Sequence, residues 1–183
     1  MERYEIRLSG SGGQGLLLGG IILAEGAIDD GKNAVQTQSY GPEARGGASK
    51  SEVIISDEEI DFPKVRNCDI LLSLTQKAYD QYSIGLKEDG ILIVDSSVNA
   101  VRAENKKIYS VPILDAAVKE LGKPMVTNIV ALGALVEITK VVTKESLEKS
   151  VLDRVPKGTE ELNRKALSLG YEIAKKLMHN GDK

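Results

Sequence analysis

The chain has 183 residues, 42 % apolar and 28 % charged, with 24 basic and 27 acidic side chains for a net charge of −3. That length suits one domain with a sizeable core, and the lack of any basic tract argues against nucleic acid as a partner. A single cysteine, Cys68, and a single histidine, His179, exclude an intrachain disulfide. They equally exclude a zinc or iron–sulfur site built by this chain alone, since such sites need three or four soft ligands.

The first element is a strand over about residues 3–9, and no signal peptide is expected before it. Residues 9–15 then read Ser-Gly-Ser-Gly-Gly-Gln-Gly. The apolar run Leu16 to Ile28 follows, interrupted by Gly19, Gly20, Glu25 and Gly26, too short and too broken to span a bilayer. It predicts a helix over 14–30 that stops at Gly31. Its internal glycines each cost about 1 kcal/mol against alanine, so they call for close backbone approach to a sheet or to another chain.

Strand 2 is expected over Asn33–Ser39 and strand 3 over Ala48–Ser56. The eight residues between them, Tyr40-Gly-Pro-Glu-Ala-Arg-Gly-Gly47, hold no helix, so this pair is expected as an antiparallel excursion. Strand 4 (Asp69–Leu74) is a continuous apolar run, typical of a strand covered on both faces. A short helix over Lys77–Tyr82, strand 5 (Gly90–Asp95), a weaker strand (Lys107–Val111) and a short helix (Leu114–Leu121) come next.

The last third is helical. Thr127-Asn128 suits the cap of a buried helix over Ile129–Thr139, Thr143 the cap of a helix to Leu152, and Thr159 the cap of a final helix. Glu160 and Glu161 lie in that last helix's first turn, where the dipole favours them. Strands separated by helices predict an α/β, Rossmann-like domain over 1–183, with a mainly parallel sheet, flanking helices and a helical C-terminal third.

A glycine loop that leaves a strand and opens a helix presents unpaired N–H groups at the positive helix end, which suits a phosphate. Gly10, Gly12 and Gly15 also fit the G-x-G-x-x-G spacing of dinucleotide-binding folds. That fold wants an acid at the end of strand 2, but strand 2 ends Thr37-Gln38-Ser39. The alternative is a tight turn before a closely packed helix. The loop from Ser39 to Gly47 is open to two readings: a surface turn carrying Glu43 and Arg45 as a charge pair, or an arm that reaches into a cleft with Arg45 for an anion. Cys68 reads as a small buried residue and His179 as a solvated helix terminus. No P-loop lysine, catalytic triad or paired carboxylates can be assembled, so the catalytic set is empty.

Gly10-Ser-Gly-Gly-Gln-Gly15, followed by Gln36-Thr-Gln-Ser-Tyr-Gly-Pro-Glu-Ala-Arg-Gly-Gly47, resembles the gamma subunit of 2-oxoacid:ferredoxin oxidoreductases. Ala48-Ser-Lys-Ser-Glu-Val-Ile-Ile55, Asp69-Ile-Leu-Leu-Ser-Leu-Thr-Gln76 with Tyr79, and Asn128 with Gly133-Ala134 continue the likeness to about residue 179. The wording around Glu43 and Arg45 is most similar to the 2-oxoglutarate branch. The resemblance implies a subunit of an enzyme that oxidatively decarboxylates a 2-oxoacid, forms acyl-coenzyme A and reduces ferredoxin. Thiamine diphosphate, magnesium and iron–sulfur clusters are then expected on partner alpha and beta subunits, with delta an open option. A cytoplasmic location is implied, and a homodimer is the expected stand-in for the partners when the chain is isolated. Coenzyme A would be held partly here, by Gly10, Ser11, Gly12, Gly13, Gln14 and Gly15, with Ser39, Tyr40, Glu43 and Arg45 as a nearby wall and Asn128 as a polar contact. A stand-alone nucleotide-binding oxidoreductase and a ligand-free assembly subunit are the alternatives.

Overall fold

The computed structural model of the chain describes residues 2–39, 47–101 and 107–181. Six strands form one sheet: β1 (Arg3–Ser11), β2 (Asn33–Ser39), β3 (Ala48–Ser56), β4 (Cys68–Ser73), β5 (Leu86–Asp95) and β6 (Lys107–Val111). Their spatial order is β2-β3-β1-β4-β5-β6. β1, β4, β5 and β6 are parallel, while β3 is antiparallel to both neighbours, β1 and β2. The link from Ser39 to Ala48 is shorter than a parallel crossover needs, so the antiparallel excursion follows from its length.

Among the described residues, six α-helices complete the fold: α1 (Leu16–Asp29), α2 (Gln76–Tyr82), α3 (Ile113–Asp115, continued by a π-helical turn over Ala116–Glu120), α4 (Thr127–Thr139), α5 (Lys144–Arg154) and α6 (Glu160–Gly181). Alternation along each strand sorts its side chains to the two faces. Ile6 and Leu8 of β1, Val53 and Ile55 of β3, and Ile70 and Leu72 of β4 join α1, α4 and α6 in the main core. Leu71, Leu92 and Val94 point the other way, into a smaller cluster with Cys68 and Tyr79 of α2. Thus α1 and α2 cover opposite faces of the sheet.

Of the α1 glycines, Gly20 finds its close approach inside the chain, while Gly26 lies at ordinary contact distance from its neighbour. A Cβ on Gly20 would strike the Ser51 side chain of β3, and one on Gly26 would lie 3.6 Å from the Leu147 backbone of α5. The stop at Gly31 is as expected. Gly31 has φ +80°, its N–H reaches the Ile28 carbonyl and the Lys32 N–H reaches that of Ala27, the double bond of a Schellman motif.

Several boundaries differ from the sequence reading. α1 opens at Leu16 because Gly15 takes a left-handed conformation (φ +73°) that breaks helical continuity. β4 includes Cys68, and β5 starts at Leu86, with a register shift against β4 between Cys68 and Ile70. α4 already includes Thr127, whose hydroxyl donates back to the Pro124 carbonyl (2.6 Å) and so caps nothing. Thr143 does cap α5, accepting from the Ser146 N–H at 3.2 Å.

Asp30 ties the end of α1 to the start of α5. Its carboxylate accepts from the Thr143 N–H, the Thr143 hydroxyl and the Ser146 hydroxyl, each at 2.6 Å. Burial pushes its pKa up, but the bonds from Ser146 and Thr143 outweigh this and hold it below the ordinary value. A carboxyl lowered by folding stabilises the fold above its unfolded pKa and loses that effect as the pH falls through the folded one. Asp30→Ala should therefore cost about 1–2 kcal/mol at neutral pH. The gap in urea midpoint from the parent should close on acidification; a gap independent of pH would contradict the charged role.

Candidate phosphate-binding site

The parallel strands β1, β4, β5 and β6 all end at one edge of the sheet. β1 leads into α1 on one face and the adjacent β4 leads into α2 on the other. Such a reversal between neighbouring strands opens a crevice beyond their carboxyl ends, where open α/β sheets bind ligands. The glycine loop lies there. β2 ends and β3 begins at the same edge, with Ser39 opposite Lys50 and Ala48 opposite Ser11.

Local chemistry shapes the loop. Gly13 (φ +84°) and Gly15 (φ +73°) both occupy the left-handed region, which other residues adopt only under strain. The side chain of Gln14 folds back so that its Oε1 accepts the Ser11 N–H at 2.8 Å. Gly15 stands at the cap of α1 without a side-chain cap. Asn128, from α4, donates through Nδ2 to the Gly15 carbonyl (3.2 Å), while its Oδ1 accepts from the Ile129 N–H (3.0 Å). A Cβ at Gly15 would lie 2.5 Å from that Nδ2.

What remains is a run of free donors. Among the described residues, the N–H groups of Gly12, Gly13, Gly15, Leu16 and Leu17 have no acceptor. Gly12 and Gly13 are exposed, and a Cβ on either would meet nothing within 4 Å. Unpaired N–H groups at the positive end of a 14-residue helix are the kind of feature that favours an anion. No lysine or arginine lies between Ser9 and Leu18, so within the loop itself the attraction comes from the backbone. Below the loop is an apolar cavity of only about 10 Å³, lined by Leu8, Leu16, Leu72 and Leu132, so a ligand must sit outside the loop.

The structure thus brings Gly10, Ser11, Gly12, Gly13, Gln14, Gly15 and Asn128 together. Two of these side chains already have partners within the chain. The Gln14 carboxamide oxygen is engaged within the loop, and the Asn128 carboxamide is spent on the backbone at Gly15 and Ile129. Ser39 closes β2 at the same edge. Tyr40, Glu43 and Arg45 lie outside the described residues. Cys68 is fully buried, its Sγ donating to the Ile70 carbonyl (3.1 Å), and burial pushes the thiol up to about 12. His179 is exposed at the end of α6, bonded to the Lys175 carbonyl. Among the described residues no three His, Cys, Asp or Glu side chains are placed to hold a metal ion, and no helix is long and apolar enough to cross a membrane.

Sequence reasoning missed the opposite wall of the crevice. Thr75 caps α2 by accepting from the Ala78 N–H. The Gln76 carboxamide then pairs with the Asn99 backbone in both directions, accepting at 2.7 Å and donating at 3.1 Å. Asp95, at the end of β5, accepts from the Ser97 and Leu114 N–H groups. A Thr-Gln step after a buried strand signals the cap, but nothing local announces the Asn99 contact.

This arrangement has a known setting. Residues 5–173 match the sequence family pyruvate ferredoxin/flavodoxin oxidoreductase. The chain belongs to that family. It is 56 % identical over 179 residues to the 2-oxoglutarate synthase subunit KorC of Methanocaldococcus jannaschii, covering 96 % of each chain. The gamma subunit of the keto/oxoacid ferredoxin oxidoreductase from Geobacter sulfurreducens superimposes with a TM-score of 0.88 at 54 % identity, over 97 % of this chain and 99 % of that one. The chain is accordingly a gamma-type subunit of the pyruvate ferredoxin/flavodoxin oxidoreductase family. The fold recurs, at a TM-score of 0.84 and 22 % identity, in 2-oxoglutarate:ferredoxin oxidoreductase from Magnetococcus marinus, a structure with 2-oxoglutarate, coenzyme A and succinyl-CoA bound. There it spans only 32 % of the longer chain.

Proposed function

We propose that this gamma-type subunit serves a 2-oxoglutarate:ferredoxin oxidoreductase and supplies a phosphate cradle for coenzyme A. The observation that carries the reading is the set of unpaired N–H groups of Gly12, Gly13, Gly15, Leu16 and Leu17 at the switch point of the sheet. A diphosphate there would take hydrogen bonds from Gly12 and Gly13 and lie on the axis of α1. Helix-terminus charge effects reach about 2 kcal/mol when partly buried, so the site is a weak one that partner subunits complete. Ser39, Tyr40, Glu43 and Arg45 would form its outer wall.

The 2-oxoglutarate assignment leans on the identity to KorC. Coenzyme A is a ligand of the Magnetococcus marinus enzyme. The chemistry of carbon–carbon cleavage and electron transfer needs thiamine diphosphate and iron–sulfur clusters. This chain's single buried cysteine and exposed histidine do not fit a cluster, and both groups are assigned to partner subunits, alpha and beta, with delta an open option. The chain's own part is to bind and orient the acyl acceptor.

Gly12→Asp tests this. The new side chain meets no protein atom within 4 Å at Cβ, so the fold should tolerate it, while its carboxylate takes the place of the phosphate. In the assembled complex the KM for coenzyme A should rise by a factor on the order of 10–100. Decarboxylation of 2-oxoglutarate to the thiamine-bound intermediate should continue. An unchanged KM for coenzyme A would reduce the loop to a structural turn.

A further inference from the structure

We infer that Gln14 is a positioning residue for coenzyme A binding. Its carboxamide serves as an internal template that holds the glycine loop open for an anion, without itself touching the ligand. The inference rests on the cradle reading above and adds what keeps the cradle in shape.

Gln14 Oε1 takes the Ser11 N–H at 2.8 Å. The same oxygen fills the space that a Cβ on Gly10 would need, so Gly10 is a glycine because Gln14 folds over it. An acceptor oxygen of the chain itself thus occupies the inside of the loop. The backbone is wrapped around it. The Ser11 N–H is taken up by it, while Gly12 and Gly13, both exposed, keep N–H groups without an acceptor. From the α4 side, Asn128 fixes Gly15. Without the template the Ser11 N–H loses its partner, and two left-handed glycines, Gly13 and Gly15, leave the backbone free to collapse into other turns. Pre-organised donors bind more tightly than donors that must be ordered on binding.

Two substitutions separate positioning for an anion from mere loop stability. Gln14→Met keeps the length and removes the acceptor. Gln14→Glu keeps an acceptor for the Ser11 N–H but adds a negative charge inside the cradle. In the assembled complex, Gln14→Met should raise the KM for coenzyme A about tenfold, the equivalent of one net hydrogen bond, with KM for 2-oxoglutarate unchanged. Gln14→Glu should raise it further, because its charge repels the phosphate, although its thermal unfolding should match the parent. A purely structural role gives the reverse order: Gln14→Glu like the parent and only Gln14→Met impaired. That result, or a parental KM for coenzyme A in both variants, overturns the inference. Gly12→Asp measured alongside tells the two failures apart. If it impairs coenzyme A use and the Gln14 variants do not, the cradle stands and the template falls. If Gly12→Asp leaves coenzyme A use intact, the cradle and its template fall together.

Discussion

Gly170→Ala in α6 is expected to destabilise the chain by about 3 kcal/mol, even though alanine is the better helix former by about 1 kcal/mol. α4 and α6 cross at two glycines. A Cβ on Gly170 would lie 2.9 Å from both the Ala134 nitrogen and the Gly133 Cα, and nearer still to the Val130 carbonyl. A Cβ on Gly133 would lie 2.5 Å from the Leu167 carbonyl oxygen. Every obstacle is backbone, so no rotamer change can relieve the contact; the helices must separate. α4 is buried nearly all round, and separation opens the main core along its length. In urea the midpoint should fall with little change in slope, and Tm should drop by roughly 6–12 °C for a chain of this size. Glu172→Ala, on the exposed side of the same helix, should be close to neutral. A Gly170→Ala chain as stable as Glu172→Ala would show that the crossing is looser than described.

The second large effect is expected at Glu52. Its side chain is 11 % exposed, and one of its oxygens accepts from both Arg7 (2.7 Å) and Lys50 (2.8 Å). Arg7 lies directly opposite in the β1–β3 ladder. Both cations also lie 5.6 Å from the ring centre of Tyr82, whose hydroxyl donates to the Ala48 carbonyl at the start of β3. Removing a partner from a buried pair costs about 3–5 kcal/mol, because the remaining charge stays desolvated. Glu52→Ala leaves two cations facing each other, so the upper end of that range is expected. Replacing both Arg7 and Glu52 by leucine should recover much of the loss, because apolar packing can substitute for a buried pair. Equal losses for the single and double variants, measured by chemical denaturation, would rule out the charge explanation.

The glycine residues illustrate how far sequence logic reaches. Gly10, Gly12, Gly13 and Gly15 after a strand pattern specified a loop and an anion-seeking helix start, since φ > 0 and bare N–H groups are local properties. Gly31 specified a helix stop for the same reason. Gly19, Gly20 and Gly26 carried only the message that something approaches closely, and Gly133 and Gly170 carried no such message until α4 and α6 were seen to cross. Nothing within a few residues says whether that is Ser51, Leu147 or the other helix of a crossing, because the partner is distant in sequence.

The sequence by itself determined the element order, the antiparallel pairing of β2 with β3, the position of the glycine loop and the likeness to the gamma subunit. Periodicity, turn length and motif spacing are encoded in short stretches of chain. Tertiary structure alone decided the roles of individual polar side chains. Asn128, expected to face coenzyme A, spends its carboxamide on Gly15 and Ile129, and Gln14 gives its carboxamide oxygen to Ser11. Gln76 spends its own on Asn99, and Glu52 is satisfied by Arg7 across the sheet and by Lys50 along its own strand. A polar group with several potential partners goes to the one that folding brings within about 3 Å and shields from water. That geometry exists only once the sheet has closed around it.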